Sequence, residues 1–178
     1  CLGNICRSPM AHVVLEDRLA KAGLDDRVEV VSSGTGGWHE GEAMDSRAAA
    51  VLRSAGYDPS RHVARTFNTD WFAENNLLLA MDASNRADMS DQAPTVAEQT
   101  RVRMFREFDP EASEGDDEVP DPWYGGDAGF KAVLTMIERT TDNLIEQLPE
   151  LLADCPARCA RAGGPRRQEG RPRGRTPR

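Results

Sequence analysis

Apolar positions along this chain follow two rhythms, and each predicts a different kind of element. Met10, Val13, Val14 and Leu15 form one side of a stretch running from Ser8-Pro9 to Gly23. Ser at the cap, Pro at the first helical position and Gly at the stop are the marks of a helix. Met44, Ala48, Val51, Leu52 and Ala55 repeat the helical spacing up to Gly56. The third such stripe is the longest. It joins Phe130, Val133, Leu134, Ile137, Leu144, Ile145, Leu148, Leu151 and Leu152, and only Thr140 and Thr141 interrupt it.

Between these stretches lie short apolar runs with no helical period. Val28 to Val31 predicts a strand entering the loop SSGTGGWHEG. LLLAMD, Leu77 to Asp82, is a continuous run of the kind found in a strand buried on both faces. VRMFREFD, Val102 to Asp109, predicts another strand, and an acidic, proline-containing loop follows from Asp109 to Asp127. Helices alternating with short apolar strands predict an α/β domain with a parallel sheet. At 178 residues the chain is long enough for one such domain with a sizeable core.

Charge divides the chain in two. From Cys155 to Arg178 there are eight Arg and one Glu, whereas the preceding 154 residues carry 14 basic and 29 acidic groups. The acidic body argues against nucleic acid as the main partner. The last segment is rich in Arg, Pro and Gly and has no periodicity, so residues 155–178 are expected to be a basic, disordered tail behind a domain of residues 1–154. No apolar run is long enough to predict a membrane span. Four Cys in this length suit a reducing cytoplasm, with export left open.

The chemistry is concentrated at the opening, CLGNICRSP. A loop from Cys1 to Arg7 leading into a helix N-terminus can turn its amides inward and make an anion nest at the positive end of the helix dipole. Gly3 allows close approach of the backbone, and Asn4 tolerates left-handed geometry. Arg7 offers a planar fork that matches two phosphate oxygens. A cysteine in that field is expected to be a thiolate. Thiolate beside phosphate implies attack at phosphorus and a phosphocysteine intermediate.

C-x5-R alone is a weak signal. The tail repeats it at Cys155 and Arg161, there without the Gly and Asn, with Pro156 in place of a donor, and with no helix start after it. Three other readings of the opening leave more unexplained. A zinc site needs two further ligands, and no CxxC or HxxxH pattern is present. A structural disulfide between Cys1 and Cys6 runs against the sparse cysteine usage. An N-terminal nucleophile with its own amine as base accounts for neither Asn4, Arg7 nor the helix start.

CLGNICRSP resembles the phosphate-binding loop of the low-molecular-weight protein tyrosine phosphatases. SSGTGGWH, MDASN and DPWYGG each resemble a segment of that family, in its order and at comparable spacing, so that the resemblance spans about residues 1–152. It implies a small three-layer α/β domain in which helices flank a central, parallel, four-stranded sheet. It also implies a monomer without metal or cofactor that acts on tyrosine-phosphorylated proteins and not on a membrane.

Residue by residue, the resemblance makes Cys1 the nucleophile, Arg7 the phosphate clamp and Asp121 the general acid. Pro120 and Pro122 bracket Asp121 and would stiffen its loop. From the residues alone, Asp121 is not distinguished from its neighbours Asp116, Asp117 and Glu118. Leu2, Gly3, Asn4, Ile5, Cys6 and Ser8 would complete the substrate-binding loop, with Ser8 donating to the Cys1 sulfur. Trp38, Trp123 and Tyr124 would form aromatic walls deep enough for a phenyl ring, although each could equally be ordinary core. Asn4, Ser33 and His62 match positions that hold the loop in shape. Cys6 matches a second loop cysteine able to pair reversibly with Cys1 and protect it from overoxidation.

Related activities fit less well. Arsenate reductases of similar fold need further cysteines, and none occurs between Cys6 and Cys155. Protein arginine phosphatases carry Thr where this chain has Ile5. A catalytically dead phosphotyrosine-binding module would not need Cys1, Arg7 and Asp121 together. The family's strand before the nucleophile has no counterpart here, so the chain is expected to be a fragment or to carry a misplaced start. A version extended upstream by about ten residues, one strand's worth, is then expected to be more stable. The composition and the SSGTGGWH segment look bacterial.

Overall fold

The computed structural model describes residues 1–153. The expected basic tail and the last residue of the expected domain, Asp154, lie outside the described residues. Helix α1 (Arg7–Ala22) follows the opening loop, and α2 (Ser46–Ser54), α3 (Asp70–Glu74), β1 (Leu78–Ala80), α4 (Ala83–Asp91), α5 (Val96–Gln99), β2 (Val102–Met104) and α6 (Gly126–Ala153) succeed it. Two short 3-10 turns, Phe105–Phe108 and Pro122–Tyr124, complete the order.

Strands β1 and β2 run parallel, with Leu78 opposite Val102 and Ala80 opposite Met104. On one face, Leu78, Ala80, Val102 and Met104 pack with Phe67, Phe72 and Met89. On the other, Leu77, Leu79 and Met81 meet the larger core built by α1, α2 and α6, where Met10, Val14, Leu52, Phe130 and Ile137 are all fully buried. Helices therefore lie on both faces of a parallel sheet, the α/β arrangement expected. Burial of β1 is uneven: Leu78 and Ala80 are buried, whereas Leu77 and Leu79 are half-covered.

Four expectations are corrected. Val28 to Val31 forms no strand, and the sheet has two strands among the described residues. A strand exists only where a neighbour completes its ladder, and the nearest pairing is an isolated parallel bridge between Gly34 and Thr66. The strand expected over Val102 to Asp109 ends at Met104, where Phe105–Phe108 turns as a 3-10 helix. Helix α1 begins at Arg7, one residue before the predicted cap. Ser8 therefore lies inside the first turn, and its hydroxyl does not cap the helix. Finally, Thr140 and Thr141 do not interrupt the apolar stripe of α6, because both are fully buried within it. Thr140 gives its hydroxyl to the Met136 carbonyl 2.8 Å away, which is how a threonine tolerates an apolar setting inside a helix.

Candidate active site

The opening loop is held from outside at almost every peptide. Thr35 N–H donates to the Cys1 carbonyl (2.9 Å), Gly36 N–H to Leu2 (2.8 Å) and Asp45 N–H to Ile5 (2.9 Å). His62 Nε2 donates to the Asn4 carbonyl at 2.7 Å. In trans peptides the N–H points opposite to the preceding carbonyl. Carbonyls pulled outward therefore turn the amides of Leu2, Gly3, Ile5 and Cys6 to the other side, against the start of α1. The anion nest anticipated from the sequence has this form.

Asn4 is the keystone. It is fully buried and adopts φ 54°, in the left-handed region that few residues other than glycine enter. Its side chain fastens that shape: Nδ2 donates to Ser8 Oγ (2.9 Å) and Ser32 Oγ (3.0 Å), and Oδ1 accepts from Arg65 N–H (2.9 Å). Ser33, expected to support the loop, contributes its carbonyl, 3.4 Å from Ser8 Oγ. The hydroxyl that meets Asn4 belongs to Ser32, which His12 Nδ1 also reaches at 3.2 Å. Gly34 lies so close to the loop that a Cβ there would sit 2.5 Å from the Leu2 carbonyl oxygen.

Ser8 Oγ lies 2.9 Å from the Cys1 sulfur, close enough to donate to it. Among the described residues, Cys1 and Cys6 are both free. Burial, followed by the nearby Asp45 carboxylate, pushes the Cys6 thiol up to about 12, so Cys6 stays protonated at neutral pH. Burial pulls the ring of His62 below its ordinary range, against the opposing bond to Asn4. His62 is thus a neutral donor that braces the loop.

Arg7 is buried and gathers three partners. Nη1 donates to Asp82 Oδ2 (2.6 Å) and to the Val119 carbonyl (3.0 Å), and Nη2 to Asp121 Oδ2 (3.2 Å). Asp82, at the carboxyl end of β1, serves two partners, since its other oxygen caps α4 by accepting from Asn85 N–H (2.7 Å). No role was assigned to Asp82 from the sequence. The available signal was its place between an apolar strand and a helix, where open α/β sheets put their ligands.

The acidic neighbours of Asp121 are told apart by their partners. Asp116 pairs with Arg106 (3.0 Å), and Glu118 accepts from Ala83 N–H (2.8 Å). Asp121 alone of the three meets Arg7. One cleft of about 230 Å³ is lined by Cys1, Leu2, Gly3, Ile5, Cys6, Arg7, Trp38, His39, Asp121, Trp123 and Tyr124. Trp38, Trp123 and Tyr124 are 73%, 42% and 94% exposed, so none is core. Asn4 and Ser8, also expected on the substrate side, lie behind the loop and do not line the cleft. His39 does line it and was not foreseen, its Nδ1 lying 2.6 Å from Glu42 Oε2. The arrangement places a thiol, a guanidinium and a carboxylate around one cleft between exposed aromatic rings.

Comparison with known proteins agrees with this geometry. The model of the family "Low molecular weight phosphotyrosine protein phosphatase" matches residues 1–153. The chain belongs to that family. It is 45% identical over 150 residues to the low molecular weight protein-tyrosine-phosphatase of Streptomyces coelicolor, covering 84% of this chain and 91% of that one. It is 43% identical over 153 residues to low molecular weight protein-tyrosine phosphatase A of Mycobacterium tuberculosis, covering 86% and 91%. Among solved structures, a protein tyrosine phosphatase from Entamoeba histolytica superposes with a TM-score of 0.79 at 34% identity, covering 84% of this chain and 94% of that one. The cleft and the cysteine loop lie within the matched region.

Proposed function

We propose that this chain hydrolyses phosphotyrosine in proteins, and small aryl phosphates, through a phosphocysteine intermediate on Cys1. One observation carries the reading: Cys1, Arg7 and Asp121 line a single cleft, with a hydroxyl on the sulfur and the guanidinium joined to the carboxylate. The relatives named as protein-tyrosine phosphatases support it. Cys6, held as a thiol, leaves Cys1 as the nucleophile.

The phosphate enters the ring of amides, and Arg7 takes two of its oxygens. The Cys1 thiolate attacks phosphorus, the S–P bond forms, and the bond from phosphorus to the tyrosyl oxygen breaks. Asp121 gives its proton to that oxygen, which leaves as the phenol. Water then attacks phosphorus while the Asp121 carboxylate takes its proton. The S–P bond breaks, inorganic phosphate departs, and the Ser8 hydroxyl stabilises the returning thiolate. Trp38, Trp123 and Tyr124 hold the phenyl ring at a depth that a phosphoserine would not fill. Cys6 lines the same cleft and would pair with Cys1 under oxidation. The sparse cysteines and the bacterial relatives support a cytoplasmic, bacterial setting, with residues 1–154 as the catalytic domain.

The test is turnover of p-nitrophenyl phosphate and a phosphotyrosine peptide by the full chain. Cys1→Ser is expected to abolish turnover. Asp121→Asn is expected to lower kcat/KM by about 10²–10³-fold. Acid-quenched enzyme should carry phosphate on the peptide containing Cys1. A correctly folded wild-type chain that binds the phosphopeptide without turning it over would instead be a binding module.

A further inference from the structure

Asp121 has two anchors, and they are not equivalent. Its Oδ2 meets Arg7, and its Oδ1 accepts from the Trp123 N–H at 3.1 Å. In the proposed reaction Arg7 turns its donors to the phosphate, so the first anchor weakens as substrate binds. The second anchor then has to place the carboxyl group, and its rigidity depends on what holds Trp123.

Arg47 holds it. At the start of α2, its Nη1 donates to the Trp123 carbonyl at 3.0 Å. Its Nε and Nη2 fork onto the two oxygens of Asp45 at 3.1 and 3.0 Å. Its guanidinium carbon lies 4.9 Å from the ring centres of both Trp123 and the fully buried Phe130. Asp45 in turn caps α2 by accepting from Arg47 N–H, and donates its own N–H to the Ile5 carbonyl in the opening loop. A continuous hydrogen-bonded path therefore runs from the phosphate loop through Asp45 and Arg47 to Trp123, and from Trp123 to Asp121.

We propose that Arg47 is a positioning residue that fixes the Asp121 carboxyl group relative to the Cys1 loop while Arg7 is occupied by phosphate. The role needs the planar fork and its stacking faces as well as the charge, so lysine cannot supply it. This inference rests on Asp121 being the acid, and the experiment separates the two claims.

A mispositioned acid harms only substrates whose leaving group needs a proton. We would measure kcat/KM for phenyl phosphate and for 2,4-dinitrophenyl phosphate with Arg47→Met, Arg47→Lys and Asp121→Asn. Both Arg47 variants are expected to lose about tenfold or more on phenyl phosphate and to stay within about twofold on the dinitrophenyl ester, a smaller form of the Asp121→Asn signature. Adding Arg47→Met to Asp121→Asn should change phenyl phosphate hydrolysis by less than about twofold, because the two act as one unit. Competitive inhibition by inorganic phosphate should stay within about twofold of wild type, since the cradle is untouched. Equal losses on both esters, no loss on phenyl phosphate, or a parallel loss of phosphate inhibition would each overturn the role of Arg47. If Asp121→Asn itself shows no preference between the esters, the acid assignment falls, and this inference falls with it.

Discussion

Residues 1–8 and residues 109–124 meet at Arg7, yet they are secured by different chemistry. The first loop is held mainly by neutral hydrogen bonds to its backbone, from Thr35, Gly36, Asp45 and His62, and by the buried amide of Asn4. The second is strapped by arginines. Arg106 and Arg139 both grip the buried Asp109, Arg106 also donates to the Glu118 carbonyl, Arg7 takes Val119 and Asp121, and Arg47 takes Trp123. Neutral bonds to a backbone fix one shape whatever the charge state of the surroundings. Charged straps are strong when paired and costly when broken, and they can exchange partners. In the proposed reaction a phosphate cradle would benefit from the former, and a loop that carries a proton in and out would be suited to the latter.

The contrast is broken most severely at Asp109. Removing this carboxylate with Asp109→Ala leaves Arg106 buried without its main partner, and is expected to cost about 3–5 kcal/mol of unfolding free energy in chemical denaturation. A loss below about 1 kcal/mol would show that the straps are dispensable to the fold.

A smaller effect is expected in the cradle. Asn4→Ala removes three side-chain bonds and puts a residue with a Cβ and no compensating amide at φ 54°, for a loss of about 2–4 kcal/mol. Asn4→Gly relieves the backbone part and should recover about 1 kcal/mol of it. If Gly and Ala are equally harmful, the left-handed backbone is not what Asn4 is there to provide.

The smallest effect is in pH, and it separates the regions by window. His62 and His12 have folded values lowered by burial, so below their unfolded value near 6.5 the unfolded chain binds more protons. Stability contributed there is complete at higher pH and falls as pH drops below the unfolded value near 6.5. Asp109 is also held well below the ordinary carboxylate range, with Arg139 and Arg106 as its paired cations. Its contribution is complete above the unfolded value near 4 and is lost only as pH falls further. In stability measured against pH, His62→Gln should reduce the fall below about pH 6.5 and leave the fall below about pH 4 unchanged.

Local rules made much of this molecule legible. The loop-to-helix opening, the left-handed tolerance of Asn4, the stop of α1 at Gly23 with φ 66°, the presence of β1 and the stripe of α6 each depend on residues within a few positions of one another. Apart from the start of α1, the early end of β2 and the buried Thr140 and Thr141, the differences involve distant partners. Ser33 reaches the loop through its carbonyl, and the contact of the neighbouring Ser32 hydroxyl with Asn4 joins segments 28 positions apart. Val28 to Val31 has the composition of a strand and lacks a ladder. His39 and Arg47 have no distinguishing local pattern, and Asp82 has only its place between β1 and α4. They matter because of what lies 75, 36 and 76 positions away: Arg7, Gly3 and Trp123.

By itself the sequence determined the chemical inventory, the opening cysteine loop and the helices that frame it, because spacing and backbone preference act over single turns of chain. Only the tertiary structure decided which carboxylates meet Arg7, which serines brace Asn4, and which arginine holds Trp123. Those choices are made by electrostatic and hydrogen-bonded contacts between segments whose separation along the chain carries no record of their closeness in space.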